Sequence, residues 1–403
     1  MILKNILGKI LLKNFGDKVI KKDDYYMRMR LTTKINPFLH RWLLKYQDNQ
    51  FVRKNNLVRA KHPELFDSTG LSQLQAHKNL WRPVKLYGKV NPNWFVMHSR
   101  LSGVEDYRYV PENIYFPYIE PIFNDFEFAS SIADKNRLNE YVSVENSPKV
   151  ILRYIRGCFF KSDYSWVSDS QAQKILDEND ELIIKPSTDS SGGVGVRLWC
   201  RSKDGKLDVA DLRSKGLMPL VIQEKVVQHK QSALFNASSV NTCRVMTMRC
   251  PWNGEVVLLK SMFRIGGGES ICDNMMMGGL CLGVKADGTL SKYAYDYDGQ
   301  RYEVHPTSGI VFANHKLNLY PKMVDFACEV AKKIPYMNIL SFDLIANDSG
   351  NIICLEINTA GQGITQLQYD GVPLFHKYTD EVVDYCKKHK QFNVFRHFRT
   401  FYW

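Results

Sequence analysis

An α+β fold is predicted by three features of the sequence. Residues 341–358 read as two apolar strands around the turn-rich Asp348–Asn351, a hairpin signal with a four-residue loop. Residues 181–200 read as a strand, a flexible Gly/Ser loop and a second strand. Residues 319–333 read as an amphipathic helix starting near Pro321, with Met323, Ala327, Val330 and Ala331 on its inner face.

The first hairpin carries the chemistry. If Asn347 pairs with Ile352, then Asp343 lies opposite Glu356, and Asn358 projects from the same face two residues on. Like charges directly opposite each other repel. A hard cation between them removes the conflict, and two carboxylates with an amide oxygen suit Mg²⁺.

Composition sets bounds. The 403 residues are 44% hydrophobic and 24% charged, as in an ordinary globular protein with a large core. No apolar run approaches the roughly 20 residues of a membrane span. Lysines interrupt the apolar runs of the first fourteen residues, which do not read as a signal peptide. Nine scattered cysteines without a CxxC pair read as reduced thiols in a cytoplasmic protein. No Ser/His/Asp or Cys/His constellation stands out, and the histidines show no ligand spacing.

Charge is concentrated at the start. Residues 1–61 hold fifteen Lys/Arg and four Asp/Glu, which gives +11 of the chain's +12. They read as helical, with Ile2, Leu3, Ile6, Leu7, Ile10 and Leu11 on one face. Packing on the protein body is the preferred reading. Docking on an anionic membrane surface, at the inner face of the cell membrane, is the second, and nucleic acid is not expected. Residues 62–130 are rich in aromatics and proline, which predicts a small irregular lobe without long helices.

Further on, Asp134 reads as a helix cap with Lys135 in the first turn. Lys185 ends a buried strand and leads into the loop containing Ser191, Gly192, Gly193 and Gly195, whose amides can cradle phosphate oxygens. There is no GK[ST], so this is not a Walker P-loop. Residues 217–227 form an apolar strand turning polar at Gln223, Glu224 and Lys225. Residues 238–248 and 258–265 read as strands carrying Arg244 and Arg264, the latter before Gly266–Gly268. Such an arginine suits carboxylate or phosphate oxygens, or a salt bridge to a neighbouring acid. Consecutive methionines at 275–277 read as core filling. A last helix covers about 375–388, and the basic, aromatic end reads as a strap on the body or as a membrane-interface segment.

The order of these pieces resembles a known family. DKN (134–136), Lys185-Pro186 with SSGGVGV (190–196), QEKV (223–226), SVNTCRV (239–245), DNMMMGG (273–279), HPTSG (305–309), SFDLIAND (341–348) and LEIN (355–358) follow as in the sugar-transfer-associated members of the ATP-grasp superfamily. The resemblance covers roughly residues 110–388. It implies an ATP-grasp fold, two α+β lobes holding ATP between them, preceded by a basic helical N-terminal extension. The implied divisions are 1–61 as extension, 62–130 as N-terminal lobe, 131–222 as lid, 223–390 as catalytic and metal-binding part, and 391–403 as tail.

The resemblance also implies roles. Lys135 and Lys185 would contact phosphates and adenine, and Ser191, Gly192, Gly193 and Gly195 would close over the phosphates. Gln223, Glu224, Lys225 and Val226 would form the adenine hinge. Asp343, Glu356 and Asn358 would hold Mg²⁺, with Arg264, Arg244 and Asn274 catalytic. The segment after the hinge, Val227–Gln231, lacks the acidic residue that usually meets the ribose. The implied reaction is carboxylate–amine ligation through an acyl phosphate. Its partners would be an amine or amino acid and a sugar carboxylate, nucleotide- or lipid-linked, in capsule or exopolysaccharide synthesis. The alternatives are a phosphotransferase acting on an alcohol and a non-catalytic glycan- or membrane-binding protein.

Overall fold

The computed structural model describes residues 37–188 and 195–389. The expectations for the helix at 2–11, for Ser191, Gly192 and Gly193, and for the tail lie outside these residues. Among the described residues no helix is long and apolar enough to cross a membrane.

Helix α1, Pro37–Lys61, lies against the body. Leu44, Gln47 and Asn55 are buried at three- and four-residue multiples. Phe51 stacks on Phe116 with ring centroids 4.6 Å apart. Asp48 receives Lys85 at 3.0 Å on both oxygens. Helix α2, Asn93–Ser102, ends at Gly103 in the left-handed conformation that closes helices. Residues 112–123 form short turns around a π-helical stretch at Tyr115–Ile119 that contains Pro117, a residue that cannot donate to a regular α-helical ladder.

Residues 62–130 close only a small cluster of their own, Phe95, Val96 and Tyr109 with Leu71 and Leu74 against them. They form short helices and no strand, too little to bury the rest of their aromatics against one another. Trp81, Trp94, Tyr115 and Phe123 instead share one core with Met246, Met248 and Leu259 and with Val382 and Cys386 near the C-terminus.

Two antiparallel sheets follow. The first contains β1 Val150–Ile155, β2 Cys158–Phe160, β3 Trp166–Val167, β4 Glu181–Pro186, β5 Arg197–Cys200 and β6 Leu220–Gln223, in the order β3-β2-β1-β6-β4-β5. Helix α3, Asp169–Asp177, covers it and begins at a Ser168/Gln171 capping box. The strand expected over 217–227 is shorter, because the backbone leaves the sheet at Glu224.

The second sheet contains β7 Thr242–Arg249, β8 Val256–Ile265, β9 Leu280–Gly283, β10 Ala294–Tyr295, β11 Arg301–Tyr302, β12 Ile339–Ala346 and β13 Ile352–Asn358. Their order is β11-β10-β9-β8-β7-β12-β13. Helix α4, Tyr320–Lys332, buries Met323, Ala327, Val330 and Ala331 in the core shared with this sheet. Helix α5, Thr379–Lys388, belongs to the core shared with residues 44–123.

The hairpin β12–β13 brings Asp343 opposite Glu356, by a different route from the one the turn suggests. At the turn Ala346, not Asn347, pairs with Ile352. That register alone would set Asp343 against Leu355. An irregularity after Asp343 restores the pair with Glu356. The extra residue, Leu355, then faces the same cavity as Glu356.

Two buried histidines make the core acid-sensitive. Burial pushes His77 down to about 4, against a bond from its ring to the Tyr107 carbonyl at 2.9 Å. Burial pushes His98 down to about 3, and neither of its ring nitrogens has a hydrogen-bond partner among the described residues. A depressed folded value means that the unfolded chain binds more protons below the unperturbed value near 6.5. Stability is therefore expected to fall from about pH 6.5 down toward pH 4, by about 3 kcal/mol for His77 alone. Urea unfolding across this range checks it, and His98→Leu should flatten the slope.

Candidate active site

The two sheets face each other across a cavity of about 330 Å³. Lys135, Lys185 and residues 223–226 line it from the first-sheet side. Thr242, Arg244, Arg264, Asp343 and Glu356 line it from the second. Asp273 and Asn274 enter from the loop before β9.

Asp343 is the hub. Arg244 donates to it twice, from Nε at 2.7 Å and from an Nη at 2.8 Å. Arg264 donates to Asp343 at 3.0 Å and to Asp273 at 2.6 Å, so one guanidinium bridges two carboxylates. The strand register explains the convergence: Asp343 pairs with Arg244, and Arg264 pairs with Thr242 on the neighbouring strand. Burial would raise the Asp343 carboxyl, but Arg244 and Arg264 outweigh it and hold it well below the usual range. Burial likewise opposes the Arg264 charge, and Asp273 and Asp343 override it. For Asp273 burial prevails over Arg264, and the carboxyl is raised. Thr242 donates to Asp273 through its hydroxyl and, at 3.1 Å, its backbone N–H.

The lysines come from the other wall. Lys135 sits in a 3₁₀ turn, Lys135–Glu140, capped by the Asp134 side chain. Its amine meets Glu356 at 2.9 Å. Lys185, at the end of β4, is buried and has no ion pair among the described residues. Burial first, then the charge on Lys135, lowers its value to about 8, with Glu356 opposing. Gly195 closes the loop that follows. Its φ is +80°, and a Cβ there would lie 2.9 Å from the Pro186 ring.

Sequence and structure differ instructively here. The cations between Asp343 and Glu356 are arginine and lysine side chains, which already relieve the repulsion that a metal was invoked to remove. Five cations (Lys135, Lys185, Lys225, Arg244, Arg264) line the cavity against four carboxylates (Glu224, Asp273, Asp343, Glu356), a net charge of +1. The donor set still fits a hard cation. One lone pair on an Asp343 oxygen and one oxygen of Glu356 remain for it, and Asn358 shares their strand face with its buried Nδ2 unpartnered. Asn358 does not line the cavity itself. A bare divalent ion is disfavoured by the surplus positive charge, whereas one arriving with polyphosphate is not.

Arg264 takes the salt-bridge reading. Two of the three glycines after it serve close packing: a Cβ on Gly267 would lie 2.4 Å from the Gly278 carbonyl, and one on Gly266 2.4 Å from the Ser239 hydroxyl. His305 and Thr307, from the HPTSG segment, hold Gly266 and Gly268 at 3.1 and 2.9 Å. Of the methionines at 275–277 only Met275 packs against the core. Met276 and Met277 are exposed at 71% and 62%, because the Asn274 side chain caps a tight turn that points them outward.

At the hinge, Gln223 is buried, Glu224 pairs with Lys149, and Lys225 meets Glu181 at 3.4 Å. The Val226 N–H has no acceptor among the described residues. After the hinge, Gln228 is bonded to the Asn236 and Ser239 carbonyls and His229 caps a short helix, so this segment is tied inward.

Sequence reading passed over Asp273, although its neighbour in the DN pair was chosen, and over Tyr297 on a distant loop; the glycine-broken segment Thr359–Gln368, whose polar atoms the sequence offers to a site, brings Gln366 to the cavity. It also passed over Glu120. That carboxylate is fully buried and accepts from the Gly361 and Gln362 N–H groups at 3.2 and 3.3 Å, fixing the loop that leaves β13. Burial raises it to about 8, with the two N–H groups opposing.

The glycine packing makes a testable contrast. Gly267→Ala is expected to destabilise by about 2 kcal/mol or more, as an overpacked backbone contact. Gly268→Ala, at φ +56° in open space, should cost only about 1 kcal/mol. Denaturant unfolding of the two variants compares them.

A family model described as sugar-transfer associated ATP-grasp matches residues 119–381. No curated protein matches the sequence. Among solved structures, biotin carboxylase from Campylobacter jejuni, in a β-γ-ATP complex, is 13% identical with a TM-score of 0.39, over 75% of this chain and 53% of that one. VanG D-Ala:D-Ser ligase from Enterococcus faecalis is 13% identical with a TM-score of 0.38, over 64% and 63%. The biotin carboxylase domain of Hydrogenobacter thermophilus 2-oxoglutarate carboxylase, with MgADP and bicarbonate, is 17% identical with a TM-score of 0.38, over 78% and 58%. The chain thus spans between half and two-thirds of the length of these structures.

Proposed function

We infer the reaction from family and site together: the chain belongs to the sugar-transfer associated ATP-grasp family, whose model matches 119–381. The reading is an ATP- and Mg²⁺-dependent carboxylate–amine ligase. A substrate carboxylate takes the γ-phosphoryl group of ATP, releasing ADP. An amine then attacks the acyl carbon, phosphate leaves, and the amine nitrogen loses its proton. The observation that carries it is the cavity in which five cations outnumber four carboxylates, with Lys135, Lys185, Arg244 and Arg264 turned toward its centre from both walls. Both steps gather negative charge, and fixed cations stabilise it without reorganising.

In this reading Lys185 and Lys135 bind phosphate oxygens, and the Val226 N–H and its neighbours receive the adenine. Gly195 ends the loop that would cover the phosphates. Arg264 and Arg244 are the positive wall facing the transferred group, with Asn274 beside them. Asp343, Glu356 and Asn358 would hold Mg²⁺. When bound, the metal supplies charge neutralisation at the phosphates. Lys135 must release Glu356 as this happens, exchanging one carboxylate for phosphate oxygens.

The finer substrate class follows the family description. A sugar carboxylate joined to an amine or amino acid in surface-polysaccharide synthesis suits a sugar-transfer association. The basic residues 1–61 would keep the enzyme near an anionic membrane carrying lipid-linked sugars.

Calorimetry with a non-hydrolysable ATP analogue tests the nucleotide site. Glu356→Gln should weaken binding at least about tenfold with Mg²⁺ present, and leave it unchanged or tighter in chelator, where Lys135 is freed. Failure of the folded wild type to bind would overturn the reading. Mass spectrometry of the product separates an amide from a phosphorylated alcohol. The lowered Lys185 predicts a pH effect as well. The amine is charged below about 8 and neutral above it, so analogue affinity should fall as pH rises from 7 to 9, and Lys185→Met should remove that dependence.

A further inference from the structure

Beside the main cavity lies a second, much smaller one of about 20 Å³. Tyr297 and Gln366 line both. Its other walls include Lys54 and Asn55 from α1 and Glu112, all outside the span matched by the family model, and Thr365. Three of these residues are more than nine-tenths buried, at 5% exposure for Asn55, 2% for Glu112 and 7% for Thr365. Each presents an oxygen with no hydrogen-bond partner among the described residues: Asn55 Oδ1, Glu112 Oε1 and Thr365 Oγ1.

Unpartnered buried oxygens are costly, and a buried carboxylate is costlier still. Among the described residues the one ion pair of Glu112 is with Lys54, whose Nζ is 3.5 Å from Oε2, a long contact from a side chain that is 43% exposed. The Asn55 amide is not drawn away by a strong partner, since its Nδ2 reaches only the Met97 sulfur at 3.8 Å. The small cavity therefore gathers acceptors, with the Glu112 charge met only by the long Lys54 contact, while the main cavity beside it carries a net positive charge. Its volume suits one group the size of a water molecule.

The geometry points to a subsite for a primary ammonium group of the substrate. Three N–H donors match three orphan oxygens, and the positive charge completes Glu112 where Lys54 does so only loosely. This deepens the ligase reading and rests on it for the statement that the ligand is a substrate. The rest of that molecule would pass Tyr297 and Gln366 into the main cavity. The ammonium then belongs either to an amino acid whose carboxylate is activated in place of a sugar carboxylate, or to a diamine whose other nitrogen attacks. Both have the same head-group chemistry.

The test uses the full chain and simple probes. Methylammonium chloride should raise the thermal midpoint more than tetramethylammonium chloride at equal ionic strength. The second ion has the same charge, no N–H donors and too large a volume. Glu112→Gln should weaken methylammonium at least about tenfold, as expected for losing a charged acceptor. Lys54→Met should tighten it by removing the competing cation. A merely structural Lys54–Glu112 pair predicts no tightening, and this variant decides the matter even if Glu112→Gln does not fold. Alanine and 1,4-diaminobutane, compared with methylammonium, distinguish the two sources, and the tighter one identifies the substrate. If the two ammonium ions act alike, the cavity holds water and the proposal is overturned. It is also overturned if neither alanine nor the diamine binds more tightly than methylammonium. Nucleotide-analogue binding is measured without amine, so its failure removes the ligase reading and leaves the ammonium result standing, and the converse holds.

Discussion

Asp343 and the two arginines that hold it organise the molecule's interior. A carboxylate this deeply buried is tolerable only with its charge matched and its lone pairs used. Three guanidinium N–H groups supply that, from β7 beside β12 and from β8 one strand further on. The pairing in turn holds both arginines in single orientations, and Arg264 carries the constraint on to Asp273. Four segments are tied through one oxygen cluster. Removing Asp343 would leave two buried guanidiniums facing each other, and removing either arginine would leave a carboxylate short of donors.

The same cluster defines what can enter. Fixed cations exceed fixed anions by one, so the resting cavity attracts anions. A metal ion gains access when polyphosphate supplies the negative charge that the protein lacks. Glu356 is the exchangeable member, because its partner Lys135 sits on the opposite wall, on a short capped turn. Asp343 is locked by two partners on its own sheet. Two carboxylates that look equivalent on a hairpin thus have different freedom.

The N-terminal residues close the assembly from behind. Their short helices cannot bury a large core alone, so their aromatics lie against the second sheet together with α5. That arrangement places Glu112 and α1 beside loops of the catalytic half, where Tyr297 and Gln366 face both cavities. A region that looks like packing material in the sequence thereby forms a polar wall next to the site.

What the sequence determined by itself is local and periodic. The hairpin, the amphipathic α4 and the strands ending in Lys185 and Arg264 follow from side-chain alternation and turn chemistry, which act over a few residues. The face shared by Asp343 and Glu356 was legible too, although the turn register and the irregularity that restores it were not, because a β-bulge leaves no signature in residue type. Only the tertiary structure decided which charges meet. Arg244, Arg264 and Asp273 are ordinary polar positions in their own segments, and the counter-ions of Asp343 come from 79 and 99 residues away in the chain. The exposure of Met276 and Met277, the closeness required at Gly267 and the orphan oxygens around Glu112 likewise depend on neighbours distant in sequence. Coulomb energy and packing depend on separation in space, which the order of residues does not reveal until the sheets are assembled.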